Sequence, residues 1–189
     1  MTAPAGAVRV AIHLSGSIAA YKGCEVVTAL RKQGCEVRVA MTGGAARFVT
    51  ATTLRSLSGH PVLDDVSEGS VDGHGMGHIE LGQWAMVHAA VAASANLVAR
   101  LAHGFADDAV TATLLATRAP LLLAPAMETA MWEHPATRAN VAVLRERGVV
   151  LVGPVSGRLA SGAEGAGRMA DVANVVTAIL EAARPSARG

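Results

Sequence analysis

This sequence predicts an α/β domain built on a parallel sheet, and two observations carry that reading. Short apolar runs alternate with longer segments of helical spacing along nearly the whole chain. Hydrophobic residues make up 51% of the chain and aromatic ones only 3%, with alanine and valine dominating. That mix suits buried parallel strands packed between helices. At 189 residues the chain is one domain by length, able to bury about 70% of its unfolded surface.

The elements follow in order. Val8–Leu14 is a largely apolar run that stops at Ser15-Gly16-Ser17. Helical spacing runs from Ala19 to Gln33, with Gly34 placed to end it. Glu36–Met41 reads as a strand and Ala45–Leu57 as a helix closed by Ser58-Gly59. A glycine-rich loop, Glu68–Gly77, leads to His78. Met86–Ala93 is a strand, and Ser94–Ala116 one or two helices broken near Gly104. Pro120–Pro125 is a strand, Thr129–Arg147 mostly helix despite Pro135, Val149–Val152 a strand and Val172–Ala183 the last helix. The expected architecture is a single-domain Rossmann-like (flavodoxin-like) parallel sheet with right-handed crossovers and helices on both faces. The domain spans residues 8–183, between flexible tails at 1–7 and 184–189.

The net charge of +1 argues for neither nucleic acid nor an anionic membrane as partner. Cys24 and Cys35 read as structural thiols, without zinc spacing or a disulfide framework. His88, Asn96 and Arg100 interrupt the apolar stretch 85–102, and no signal peptide is present, so a soluble cytoplasmic protein is expected. No metal site is expected. Asp107 and Asp108 are adjacent, would point about 100° apart on a helix, and read as capping residues.

In such a sheet, ligands bind beyond the carboxyl ends of the strands. The first such turn is Ser15-Gly16-Ser17-Ile18. Gly16 permits a tight turn, and the Ser17 hydroxyl with the free N–H groups of the helix start makes either a phosphate cradle or a plain N-cap. The turn is neither the dinucleotide glycine fingerprint nor a Walker loop, so a mononucleotide is favoured. Thr42-Gly43-Gly44 offers a hydroxyl and open backbone to the same phosphate. Phe48, one turn further, lies against a ring or in the core.

Residues 125–132 read Pro-Ala-Met-Glu-Thr-Ala-Met-Trp. This octapeptide closely resembles the Pro-x-Met-Asn-x-x-Met-Trp signature of the flavin-dependent cysteine decarboxylases. The resemblance extends to Ala93-Ser94-Ala95-Asn96, similar to the family's flavin-edge segment, where Ala92 stands in place of the usual proline. It also covers Gly77-His78-Ile79-Glu80-Leu81, similar to the segment bearing the family's active-site base. It implies FMN as cofactor, held by Gly16, Ser17, Ile18, Thr42, Phe48, Ala93, Ser94, Ala95, Asn96 and Met127, and His78 as the catalytic group that takes a thiol proton. It implies substrate contacts from Glu128, Met131, Ser161, Arg158 and Arg168, the last three on a glycine-rich segment, 155–170, able to close as a flap. Family members assemble as trimers, often four together in a dodecamer, with FMN at subunit contacts.

Two letters depart from the coenzyme A branch of that family. Ser161 stands where a cysteine helps return electrons from the reduced flavin, and a hydroxyl cannot readily supply that proton. Glu128 stands where an asparagine grips the substrate carboxylate. It is either protonated, or bound to another group, or simply an acidic residue opening a helix. The resulting expectation is oxidative decarboxylation of the C-terminal cysteine of a ribosomally made precursor peptide, halting at an enethiol. The alternative is phosphopantothenoylcysteine decarboxylase, disfavoured by those two letters and by the lack of a fused CTP-dependent synthetase domain. A third reading is a non-catalytic flavin-binding regulatory subunit, against which His78 weighs.

Overall fold

A computed structural model describes residues 6–64 and 77–184 of the chain. Runs of valine, leucine and alanine, which gain by leaving water, form Arg9–Leu14 (β1), Glu36–Met41 (β2), Val62–Leu63 (β3), Val87–Ala93 (β4), Leu121–Pro125 (β5) and Val150–Leu151 (β6). These six pair in parallel in the order β3-β2-β1-β4-β5-β6. This is the Rossmann order, which separates the chain from the 2-1-3-4-5 flavodoxin order and puts the reversal of strand order between β1 and β4.

The helices are Tyr21–Lys32 (α1), Ala51–Ser58 (α2), Gly77–Trp84 (α3), Ala95–His103 (α4), Ala109–Ala116 (α5), Thr129–Glu133 (α6), Pro135–Glu146 (α7) and Val172–Ala182 (α8). Strand alternation sends Val10, Ile12, Leu14, Val39 and Val91 to one face, where Val26, Leu30, Leu54 and Ile179 from α1, α2 and α8 cover them. The other face carries smaller residues, Ala11, Ala40 and Ala90, under Leu81, Leu97, Val110 and Leu144 from α3, α4, α5 and α7. A separate antiparallel hairpin, Val155–Arg158 (β7) with Glu164–Arg168 (β8), follows the sheet.

Several boundaries depart from the sequence reading for local reasons. The helix expected over 45–57 is a 3-10 turn, Ala45–Arg47, followed by α2, because the Thr50 hydroxyl caps a new helix by accepting the Thr53 N–H at 3.2 Å. The helix expected over 129–147 divides at His134, whose Nδ1 accepts the Ala136 N–H with Pro135 as first residue of α7. α3 has no counterpart in the sequence reading. One of its two glycines, Gly82, lets the helix lie on α5, since a Cβ there would stand 3.3 Å from the Thr113 carbonyl. Asp108 caps α5 in a capping box, as its position suggested. The predicted loop Glu68–Gly77 and the two tails fall mostly outside the described residues. Both cysteines are free thiols. Among the described residues no helix is long and apolar enough to cross a membrane.

Two histidines stand inside the sheet, beneath α3 and α5. His13 of β1 and His88 of β4 are both 0% exposed, with His13 Nε2 2.9 Å from His88 Nδ1. Burial holds the His13 imidazole well below its ordinary value, and the neighbouring His88 adds to this. Burial lowers His88 from 6.5 to about 4. A base whose folded value is depressed is charged first in the unfolded chain, so stability is complete above pH 6.5 and drains away as the pH falls toward 4. His88 alone should therefore cost about 3 kcal/mol of unfolding free energy across that window. Urea midpoints at neutral and mildly acid pH check this, and the His13→Leu/His88→Leu double variant should flatten the dependence.

Candidate active site

The carboxyl ends of β1 and β4 are tied together by one side chain. Ser15 Oγ accepts the Ser94 N–H at 2.9 Å and donates to the Ala92 carbonyl at 3.3 Å. Ala92 lies in a bulge of β4 with φ 55, a left-handed conformation that costs a residue with a Cβ about 1–2 kcal/mol. Proline, fixed near φ −65°, could not take this shape. Beyond the bulge, the Ser94 hydroxyl caps α4 by accepting the Leu97 N–H.

Ser17 takes one of its two expected roles, as N-cap of the 3-10 turn Ile18–Ala20. Its hydroxyl accepts the Ala19 N–H and donates to the Ala126 carbonyl at 3.1 Å, pinning the β1 turn to the end of β5. Its proton is already committed. Thr42 Oγ1 accepts the Ala45 N–H at 3.2 Å, which leaves its own proton to offer a ligand. The glycines at the two turns face each other, since a Cβ on Gly16 would meet the Gly44 backbone at 3.4 Å.

Two adjoining cavities open over these ends and share Gly16, Ser94, Ala95 and Met131. The smaller, about 370 Å³, brings in Thr42, Gly44, Asn96 and Arg100. Arg100 is held there by Asp107 and Asp108, contacts that raise its pKa, the hydrogen bond it donates to Asp107 first. The larger, about 560 Å³, gathers Ser17, Ile18, Met127, Glu128, Arg158 and Arg168 from the predicted set. It also takes in Lys22, Leu159 and Met169, which the sequence reading did not single out as ligand contacts.

The β7–β8 hairpin forms one wall of the larger cavity and is docked by main chain. The Met127 N–H donates to the Gly167 carbonyl at 3.0 Å. Gly165 and Gly167, on one face of β8, leave no room for side chains. A Cβ on either would stand 2.2 Å from Thr129 Oγ1 or from the Met127 carbonyl oxygen. The segment expected to act as a flap is therefore seated against the Met127–Thr129 segment. Arg168 pairs with Asp171 at 2.6 Å.

Four predicted residues are not brought to these cavities. Ala93 is fully buried in β4, and Phe48 is 42% exposed outside both. Ser161 is exposed in the hairpin turn, its hydroxyl accepting the Ala163 N–H. His78 lies in the first turn of α3 and lines neither cavity. Glu128 precedes α6 as its N-cap residue, at the cavity wall.

FMN suits this donor set. The hydroxyl protons of Thr42 and Ser94, two facing glycines and the start of α4 could form a phosphate and ribityl cradle, and Met127 with Met131 could offer polarisable surface to a flat ring. Among the described residues no cluster of three or more potential metal ligands occurs.

Comparison with known proteins agrees with this fit. Residues 2–184 match the Flavoprotein family. The coenzyme A biosynthesis bifunctional protein CoaBC of Mycobacterium tuberculosis is 48% identical over 169 residues, covering 89% of this chain and 40% of the relative. The CoaBC of Escherichia coli is 44% identical over 168 residues, covering 89% and 41%. The chain thus spans about two fifths of the length of these curated relatives. Among solved structures, a PPC decarboxylase mutant complexed with pantothenoylaminoethenethiol superimposes with TM-score 0.81 and 31% identity, over 93% of this chain and 97% of that one. The FMN-dependent cysteine decarboxylase SpaF gives 0.80 and 35%, over 94% and 98%.

These identities overturn the precursor-peptide substrate and the enethiol product expected above. That expectation leaned on two letters. Ser161 stands outside the cavities, so its side chain is a poor reporter of events at the reacting atoms. Glu128 sits where a helix begins, a position that accepts an acidic residue readily. With FMN as its cofactor, the chain belongs to the Flavoprotein family, among the FMN-dependent cysteine decarboxylases.

Proposed function

We propose that this chain removes CO2 from phosphopantothenoylcysteine, as a cytoplasmic homo-oligomer whose sites combine a cavity of one copy with His78 of the next. The observation that carries the substrate is the 48% identity to a coenzyme A biosynthesis protein across 89% of the chain. The larger cavity supports it, because about 560 Å³ suits a ligand of that size. The assembly is supported by His78 standing away from its own chain's cavities. It is supported too by an apolar rim in which Ile18 is 56%, Tyr21 53% and Met131 48% exposed. A second copy covering that rim would remove apolar surface from water.

FMN would supply a reversible two-electron acceptor, lending oxidation for the loss of CO2 and returning both electrons so that the product is a saturated thiol. The chain's residues do the rest. The cavity wall formed by β7–β8 and Met127–Glu128 orients the cysteine and excludes water. His78 takes the proton from the substrate sulfur. Loss of the carboxylate then leaves electrons that delocalise toward that sulfur. Incubating the purified yellow protein with phosphopantothenoylcysteine should yield a saturated thiol lighter by one CO2, read by mass spectrometry. No loss of CO2 from that substrate would overturn the proposal.

A further inference from the structure

Four charged side chains line the larger cavity: Lys22, Glu128, Arg158 and Arg168. Their states differ. Arg168 is neutralised by Asp171 at 2.6 Å. Lys22, in the first turn of α1, and Arg158, at the end of β7, make no ion pair or side-chain hydrogen bond among the described residues. Lys22 is half-buried and Arg158 exposed, and they stand on separate elements that face one cavity, beside the apolar Ile18, Ala19, Leu159 and Met169 of its lining.

We infer that Lys22 and Arg158 form a two-cation clamp for a phosphomonoester at the far end of the substrate, and so set its preference for a phosphorylated pantothenoyl arm. The inference rests on the decarboxylase reading above and deepens it. The charges match: a phosphomonoester carries nearly two negative charges at neutral pH, and the clamp offers two positive ones. A guanidinium grips two phosphate oxygens in parallel, and an ammonium adds a point charge. The cofactor's phosphate has a different cradle. Thr42, Gly43 and Gly44 line only the smaller cavity, which contains neither Lys22 nor Arg158. Closing the clamp would also tie the hairpin to α1, so a ligand lacking the phosphate would leave that wall less firmly held. Glu128, the remaining charge in the cavity, would repel the same phosphate, which directs it toward the Lys22 and Arg158 side.

The test uses the FMN-loaded protein, Lys22→Gln and Arg158→Gln. Each is assayed with phosphopantothenoylcysteine and its dephosphorylated counterpart, and titrated calorimetrically with phosphopantothenate and pantothenate. Wild type should prefer the phosphorylated ligand, and each substitution should cut that preference by about tenfold to a hundredfold, the worth of one charge-assisted contact, with flavin content retained. A wild type indifferent to the phosphate, or variants that keep the full preference, would overturn the clamp. Loss of flavin from either variant would also overturn it, by assigning these cations to the cofactor. The calorimetric arm needs no turnover. A protein that discriminates in binding but releases no CO2 would therefore keep the clamp and sink only the decarboxylase reading.

Discussion

A His78→Asn variant is expected to stay yellow and lose kcat by about 10²–10⁴-fold, the usual range for removing a positioned acid–base group. Asparagine keeps a polar side chain of similar reach but cannot take a proton from a thiol near neutral pH. FMN retention follows from the geometry, because His78 lines neither cavity of its own chain. If the histidine serves the neighbouring copy, the defect is complementable. Coexpressing His78→Asn with a variant damaged in the cavity should restore activity that neither possesses alone. Full activity in the single variant would remove His78 from the reaction.

Gly167→Ala is the second large effect, and it should act through backbone alone. The new Cβ would stand 2.2 Å from the Met127 carbonyl oxygen and 3.3 Å from its carbon. These are main-chain atoms that no rotamer change can move aside. Gly167 also has φ 141, which alanine avoids. Relief means lifting β8 away and losing the Met127–Gly167 hydrogen bond, so the docked state should be weakened by about 3 kcal/mol. The hairpin supplies Arg158, Gly167 and Arg168 to the cavity. We therefore expect kcat/KM to fall about 100-fold, with faster tryptic cleavage at Arg158. Activity within about threefold of wild type would mean that the hairpin tolerates undocking.

Much of the fold is legible in local sequence. The strands announce themselves through apolar runs, and the helix ends through Gly34, Gly104 and Asp108, because those signals act over a few residues. α3 stays hidden, since its eight residues hold two glycines and too few apolar positions to show a period. The spacing of Gly165 and Gly167 carries a signal for close backbone approach. What those glycines approach is set by tertiary contact with residues 127–129, nearly forty positions away. The commitment of the Ser17 proton is likewise invisible, because its acceptor, Ala126, is 109 residues distant. Ser161 misleads for a related reason: a motif gives a letter its place in a string, whereas reactivity depends on its place in space.

The buried imidazole pair shapes how any activity curve of this protein must be interpreted. Below about pH 6, a falling rate would report protons entering the interior of unfolding molecules as well as protons on the reacting groups. A circular-dichroism trace recorded beside the assay separates the two, and only the part that runs ahead of the loss of ellipticity belongs to chemistry.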